Sequence, residues 1–150
     1  MAMKKSLLAG GLTAVLTAAP AAAETIEVKM LNKNGAGELM VYEPMSVSIE
    51  PGDTVRFTVV DKGHNAQSVK GMIPEDADSF RGGINQAIEV TFEAEGTYVY
   101  KCLPHLYSGM VGVVKVGDHT KNLEAVREKV SELPKLARDR LQPLLAAEGS

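Results

Sequence analysis

The chain has 150 residues, a formal net charge of −3 and one cysteine. That length suits a single domain with an adequate apolar core. The acidic balance argues against nucleic acid as a partner, and a lone cysteine excludes any disulfide within the chain.

Lys4 and Lys5 precede an apolar stretch from Leu7 to Pro20 that ends in Ala21-Ala22-Ala23. This order is the n-region, h-region and small-residue cleavage site of an export signal. The stretch is too short to be a membrane span, and no later stretch is long and uncharged enough to be one. The expectation is loss of residues 1–23 and a mature, soluble chain that begins at Glu24. Losing Lys4 and Lys5 with no acid makes the balance still more negative. An exported protein with an unpaired thiol is unusual, and metal ligation explains it better than a thiol left open to oxidation.

From Thr25 to Val116 the dominant period is two, the mark of half-buried strands. Ile26, Val28 and Met30 alternate with Glu27 and Lys29. Val47 and Ile49 alternate with Ser46, Ser48 and Glu50, Pro51-Gly52-Asp53 supplies a turn, and Val55, Phe57 and Val59 follow, which predicts a hairpin. Ile88, Val90 and Phe92 form the next alternating run before Glu95-Gly96 turns the chain. Tyr98, Tyr100 and Cys102 share one face of the following strand, opposite Val99 and Lys101, and Val111 to Val116 forms a last short strand. Short strands at this spacing predict a mainly β fold, a sandwich or barrel.

The strand ending near Cys102 leads into Lys101-Cys102-Leu103-Pro104-His105-Leu106-Tyr107-Ser108-Gly109-Met110. A thiolate, an imidazole and a thioether thus share one loop, and these soft and borderline ligands suit copper. His64, in Asp61-Lys62-Gly63-His64-Asn65, is a fourth candidate from another strand or loop. Two His and one Cys in a plane with a weak axial Met is the blue-copper electron-transfer arrangement. Pro104 stiffens the loop by fixing its own φ and restricting Leu103. It also lacks an N–H, so one donor near the cysteine sulfur is absent, and such bonds tune the redox potential.

Taken singly, Cys102 reads as a small buried hydrophobe, Met110 as core and His64 as a satisfied structural histidine. Together, with the spacing and the export signal, they point to copper. Met30, Met40, Met45 and Met72 stay with the core, His119 matches no ligand position, and Glu75-Asp76-Ala77-Asp78 reads as a solvated loop. Two other functions use the same residues: a thiol enzyme with Cys102 as nucleophile and a histidine as base, and a copper chaperone or storage protein.

After Gly117 the period becomes helical. Leu123, Val126 and Val130 recur at helical spacing, with Thr120 or Asn122 as N-cap and Pro134 ending the segment. A second helical segment follows with Leu136, Ala137, Leu141, Leu144 and Leu145 as its apolar residues, and Pro143 kinks or shortens it. Helices this short are marginal alone, so they should lie on the sandwich.

Cys102-x-x-His105-x-x-x-x-Met110 with an upstream Gly63-His64-Asn65 resembles the small blue copper proteins, the cupredoxins. The whole mature chain is similar to the pseudoazurin family within them. Plastocyanins share the loop spacing; the helical tail from about Thr120 to Ala147, Val60-Asp61-Lys62-Gly63-His64-Asn65 and Gly71-Met72-Ile73-Pro74-Glu75 favour pseudoazurins. Azurins fit less well, since they carry a disulfide.

The resemblance implies a Greek-key β-sandwich over 24–118 with a C-terminal helical extension over 119–150 packed on it. It implies one copper ion cycling between Cu(I) and Cu(II), with His64, Cys102, His105 and Met110 as ligands, and no enzymatic activity. It also implies a monomer in the periplasm of a denitrifying bacterium that forms transient complexes, takes electrons from a cytochrome-type donor and passes them to nitrite reductase. Asn65 is expected to hold the two ligand-bearing segments together. His105 would be the electron port, with Pro104 and Leu106 as an apolar rim and Lys62 and Lys101 as nearby docking charges.

Overall fold

The computed structural model describes residue 19 and residues 21–146; most of the expected export signal, and residues 147–150, lie outside the described residues. The strands among them are β1 (Thr25–Lys33), β2 (Leu39–Glu43), β3 (Ser46–Ile49), β4 (Thr54–Val59), β5 (Gln67–Ser68), β6 (Ile88–Thr91), β7 (Gly96–Lys101) and β8 (Val111–Val116). Helices α1 (Leu123–Val130) and α2 (Lys135–Leu144) follow. The strands form two four-stranded sheets, β2-β1-β4-β6 and β3-β8-β7-β5. Pairs β1/β4 and β3/β8 are parallel and the remaining pairs antiparallel. This is the mainly β sandwich with C-terminal helices that the periodicity predicts.

The expected hairpin across Pro51-Gly52-Asp53 does not form. Strand β3 pairs with β8, while β4 pairs with β1 and β6 in the other sheet. The turn therefore carries the chain across the sandwich. Its residues dictate a reversal, but sheet membership is decided by which neighbours bury the apolar faces. Burial on one face and exposure on the other do follow the alternation: in β1, Val28 and Met30 are fully buried while Glu27 and Lys29 are exposed.

Two cores result. Between the sheets lie Val28, Met30, Tyr42, Val55, Phe57, Phe92, Tyr98, Tyr100, Cys102, Met110, Val114 and Val116. On the outer face of the second sheet, Val99, Val111 and Val113 pack with Leu123, Val126, Val130, Ala137, Leu141 and Leu145 from the helices. Strand β8 is consequently buried along its whole length, because one face meets the first sheet and the other meets the helices. Each fully buried Val or Leu contributes about 1.5–3 kcal/mol relative to exposure, which short helices alone could not supply.

Helix α1 turns Leu123, Val126 and Val130 inward. Asn122 stands at its N-cap position without capping. Its Oδ1 accepts from the Thr97 amide at 2.7 Å and its Nδ2 donates to the Thr97 carbonyl at 2.9 Å, so it staples the helix start to β7. In α2, Ala137 and Leu141 are buried, while Leu136 is 51% exposed, against the expectation that it joins the apolar face. Pro143 lies inside the last turn, and the helix ends at Leu144. No helix among the described residues is long and apolar enough to cross a membrane.

Candidate metal centre

Two loops at one end of the sandwich meet. The first follows β4 and carries His64. Gly63 takes φ 98°, a left-handed conformation open to glycine. Its amide donates to Asn85 Oδ1 at 2.6 Å, and the Asn85 amide donates to the His64 carbonyl at 2.8 Å. Strand β1 holds the same loop through Asn32, whose amide donates to Asp61 Oδ2 at 2.7 Å. His64 Nε2 lies 2.8 Å from Asn32 Oδ1.

The second loop runs from Cys102 to Met110 and closes on itself. The Cys102 amide donates to the Met110 carbonyl at 2.9 Å, and the Met110 amide donates to the His105 carbonyl at 3.1 Å. A single 3-10 turn, Leu106–Ser108, and left-handed Gly109 complete the reversal. Cys102 and Met110 are both fully buried, and both belong to the core between the sheets.

Asn65 joins the two loops. Its Oδ1 accepts from the Leu103 amide at 2.7 Å, and its Nδ2 donates to Gln67 Oε1 and the Gly82 carbonyl, both at 3.0 Å. Its own carbonyl accepts from the Tyr42 hydroxyl at 2.6 Å. Every polar atom of this buried side chain is therefore used, and the approach of the two loops is fixed.

At their junction His64, Cys102 and His105 each present a donor atom, all within 4.8 Å of one another. The two Nδ1 atoms are 3.1 Å apart, and Cys102 Sγ lies 3.7 Å from that of His64 and 3.6 Å from that of His105. First-row ions bind nitrogen at about 2.0–2.1 Å and thiolate at about 2.3 Å, so one ion fits among donors so spaced. Two borderline nitrogens and a soft sulfur suit copper. Met110 enters from the loop end that is hydrogen-bonded to both Cys102 and His105.

The electrostatics leave these donors available. Burial lowers the His64 pKa from its usual value, the neighbouring His105 acts in the same direction, and Asp61 opposes. The imidazole is thus neutral at pH 7, as a ligand must be. Burial raises the Cys102 thiol, while the backbone N–H groups of Asn65 and His105 favour its thiolate. A metal cation would complete the balance toward thiolate.

His64 is buried and His105 half-buried, so His105 is the donor nearest to solvent. Lys62 and Pro104 are exposed and Lys101 is half-buried. Leu106 is half-buried, packed against the helix-covered core, while Leu103 and Tyr107 join Pro104 as exposed apolar residues beside His105, Tyr107 being 83% exposed. Asn32 and Asn85 are structural parts of this centre that sequence reasoning did not single out. Neither has a local spacing that marks it.

The family described as copper binding proteins, plastocyanin/azurin family, matches residues 28–117. A pseudoazurin of Methylorubrum extorquens is 46% identical over 89% of this chain and 88% of its own. One of Paracoccus pantotrophus is 44% identical over 94% of this chain and 95% of its own. The crystal structure of native pseudoazurin from Hyphomicrobium denitrificans superposes with a TM-score of 0.75 at 39% identity, covering 84% of this chain and 99% of that one.

Proposed function

Since the chain belongs to the copper-binding plastocyanin/azurin family and, within it, to the pseudoazurins, electron carriers and not enzymes, we propose that His64, Cys102, His105 and Met110 hold its copper ion. The observation that carries this reading is the convergence of His64 Nδ1, His105 Nδ1 and Cys102 Sγ within 4.8 Å. Copper bound there supplies reversible one-electron chemistry between Cu(I) and Cu(II). Cys102 and the two histidines would hold the ion most strongly, and Met110 would add a weaker thioether contact. The loops supply rigidity: Asn65, Asn32 and the closed Cys102–Met110 loop keep the donors in place, so little rearrangement accompanies electron transfer. The burial of Cys102 speaks against its use as a catalytic nucleophile on a substrate from solvent.

The protein works in the periplasm after loss of residues 1–23, as a monomer built of a sandwich over 24–118 and a helical extension over 119–150. It takes electrons from a cytochrome-type donor and delivers them to nitrite reductase in denitrification. His105 is the port, rimmed by Leu103, Pro104, Leu106 and Tyr107. Lys62 and Lys101 steer it toward an acidic patch on the partner.

Stopped-flow mixing of the reduced protein with a periplasmic nitrite reductase and nitrite tests this reading, with Lys62→Glu and Lys101→Glu alongside. The expected result is reoxidation whose second-order rate falls with ionic strength and is lower in both variants, with their copper spectra unchanged. Failure of the wild type to be reoxidised by an enzyme that turns over with another donor would contradict the partner. Variants matching the wild type at low salt would remove the lysines from the docking face.

A further inference from the structure

The helical extension reaches the candidate metal centre through one side chain. Arg140, half-buried on α2, donates from Nη1 to the carbonyl oxygens of Met40 at 2.6 Å and Gly109 at 2.8 Å, and from Nη2 to that of Leu39 at 2.7 Å. Nη1 carries two N–H groups, so both are engaged. The guanidinium therefore ties the start of β2 to the residue immediately before Met110.

The position of that second tie matters. The Gly109 carbonyl and the Met110 N–H belong to one planar peptide unit. Its oxygen accepts from Arg140 and, at 3.0 Å, from the Val111 N–H, and its own N–H donates to the His105 carbonyl at 3.1 Å. With both edges clamped, the plane has a fixed orientation, and that orientation sets the point from which the Met110 side chain departs. Helix α2 also lies directly on this spot: a Cβ added to Gly109, which has φ 81°, would meet the Leu136 carbonyl oxygen at 3.0 Å. On the other side of the tie, Met40 has φ 49°. A non-glycine residue keeps that conformation only where its surroundings over-determine it.

We propose that Arg140 is a positioning residue for Met110, and that α2 is thereby part of the scaffold of the metal centre. The inference rests on the reading of Met110 as a copper ligand. Arg140 acts as a fork, delivering separate bonds to two chain segments, which a lysine cannot reproduce.

The test compares Arg140→Met and Arg140→Lys with Arg138→Met, a variant of the same helix whose side chain binds the Ser131 and Leu133 carbonyls, away from the Gly109–Met110 peptide. Two quantities are read. In the copper-loaded protein it is the intensity ratio of the two thiolate-to-copper absorption bands, which would respond to a change in the Met110 contact. In the metal-free protein it is the hydrogen-exchange rate of the Met110 amide. Both Arg140 variants should change the band ratio and exchange that amide about tenfold faster, the effect of losing roughly one charge-assisted hydrogen bond. Arg138→Met should leave both at wild-type values. Arg140 variants that match Arg138→Met on both readouts, or a lysine variant that restores wild-type values, would overturn the positioning role. Should Arg140→Met fail to fold, Arg140→Lys carries the comparison. A wild type without the paired bands would contradict the copper reading instead, and the exchange rates would still decide the clamp.

Discussion

Asn32 Oδ1 accepts a hydrogen bond from His64 Nε2 at 2.8 Å, and this bond decides which nitrogen of His64 faces Cys102. A carboxamide oxygen only accepts, so the proton of the neutral ring sits on Nε2 and Nδ1 keeps its lone pair. Nδ1 is the atom 3.7 Å from Cys102 Sγ. Asn32 thus fixes both the tautomer and the ring plane of a candidate ligand.

Asn32→Leu removes that acceptor and takes from Nε2, in a buried site, the bond that fixes its proton. Copper affinity should fall by about 10- to 100-fold, the usual effect of losing such a support. Competition against a chelator of known affinity measures it. An unchanged affinity would mean that packing alone orients His64.

Met110→Gln should keep copper, because the axial bond is weak, and should lower the reduction potential, because a harder oxygen ligand favours the cupric state. Cyclic voltammetry gives the answer directly. A potential equal to or above that of the wild type would exclude Met110 from the coordination of the ion.

Asp53 contributes to the acid dependence of the fold. Its Oδ1 accepts from the Glu24 amide at 2.8 Å and its Oδ2 from the Glu50 amide at 2.9 Å, and these bonds lower its pKa. In a chain processed after Ala23, the Glu24 nitrogen is the α-ammonium, and the bond becomes charge-assisted on both sides. An unfolded Asp titrates near about 3.9. With the folded value depressed, the stabilisation is complete above that pH and is lost as pH falls through the lower, native value. Asp53→Asn should melt below the wild type at pH 7, and the gap should close as pH drops below about 4. Thermal melts from pH 7 down to pH 3 check the sign; a gap that widens in acid would contradict it.

The parts of this architecture legible in the sequence are those with local periodicity or short spacing. Alternation in Val28-Lys29-Met30 and in Tyr98-Val99-Tyr100 marks strands, because a strand sends successive side chains to opposite faces. Cys102, His105 and Met110 stand out because one loop holds them, and His64 because so few histidines compete with it. The failed hairpin at Pro51-Gly52-Asp53 has a different origin: turn chemistry is local, whereas the pairing of β3 with β8 rather than with β4 is not. Strand β5, of two residues, is too short to show a period, and β2 is apolar at four successive positions, Leu39 to Tyr42, so it shows no alternation. Asn32 and Arg140 were illegible for the strongest reason. Their contacts span 32 and 100 residues respectively, and nothing near either position in sequence signals the partner.

Cys102 and the two histidines should hold an ion that accepts and releases one electron. A titration with cupric ion, followed optically through one cycle of reductant and oxidant, tests it most directly, with wild type and Cys102→Ala side by side. The wild type should take up one equivalent, develop an intense visible band, bleach on reduction and recover on oxidation. Cys102→Ala should keep the wild-type circular dichroism in the far ultraviolet, because the sandwich packs without metal, and should show no such band. An intense thiolate-to-copper band retained in Cys102→Ala, or a wild type that binds copper without one, would contradict the account.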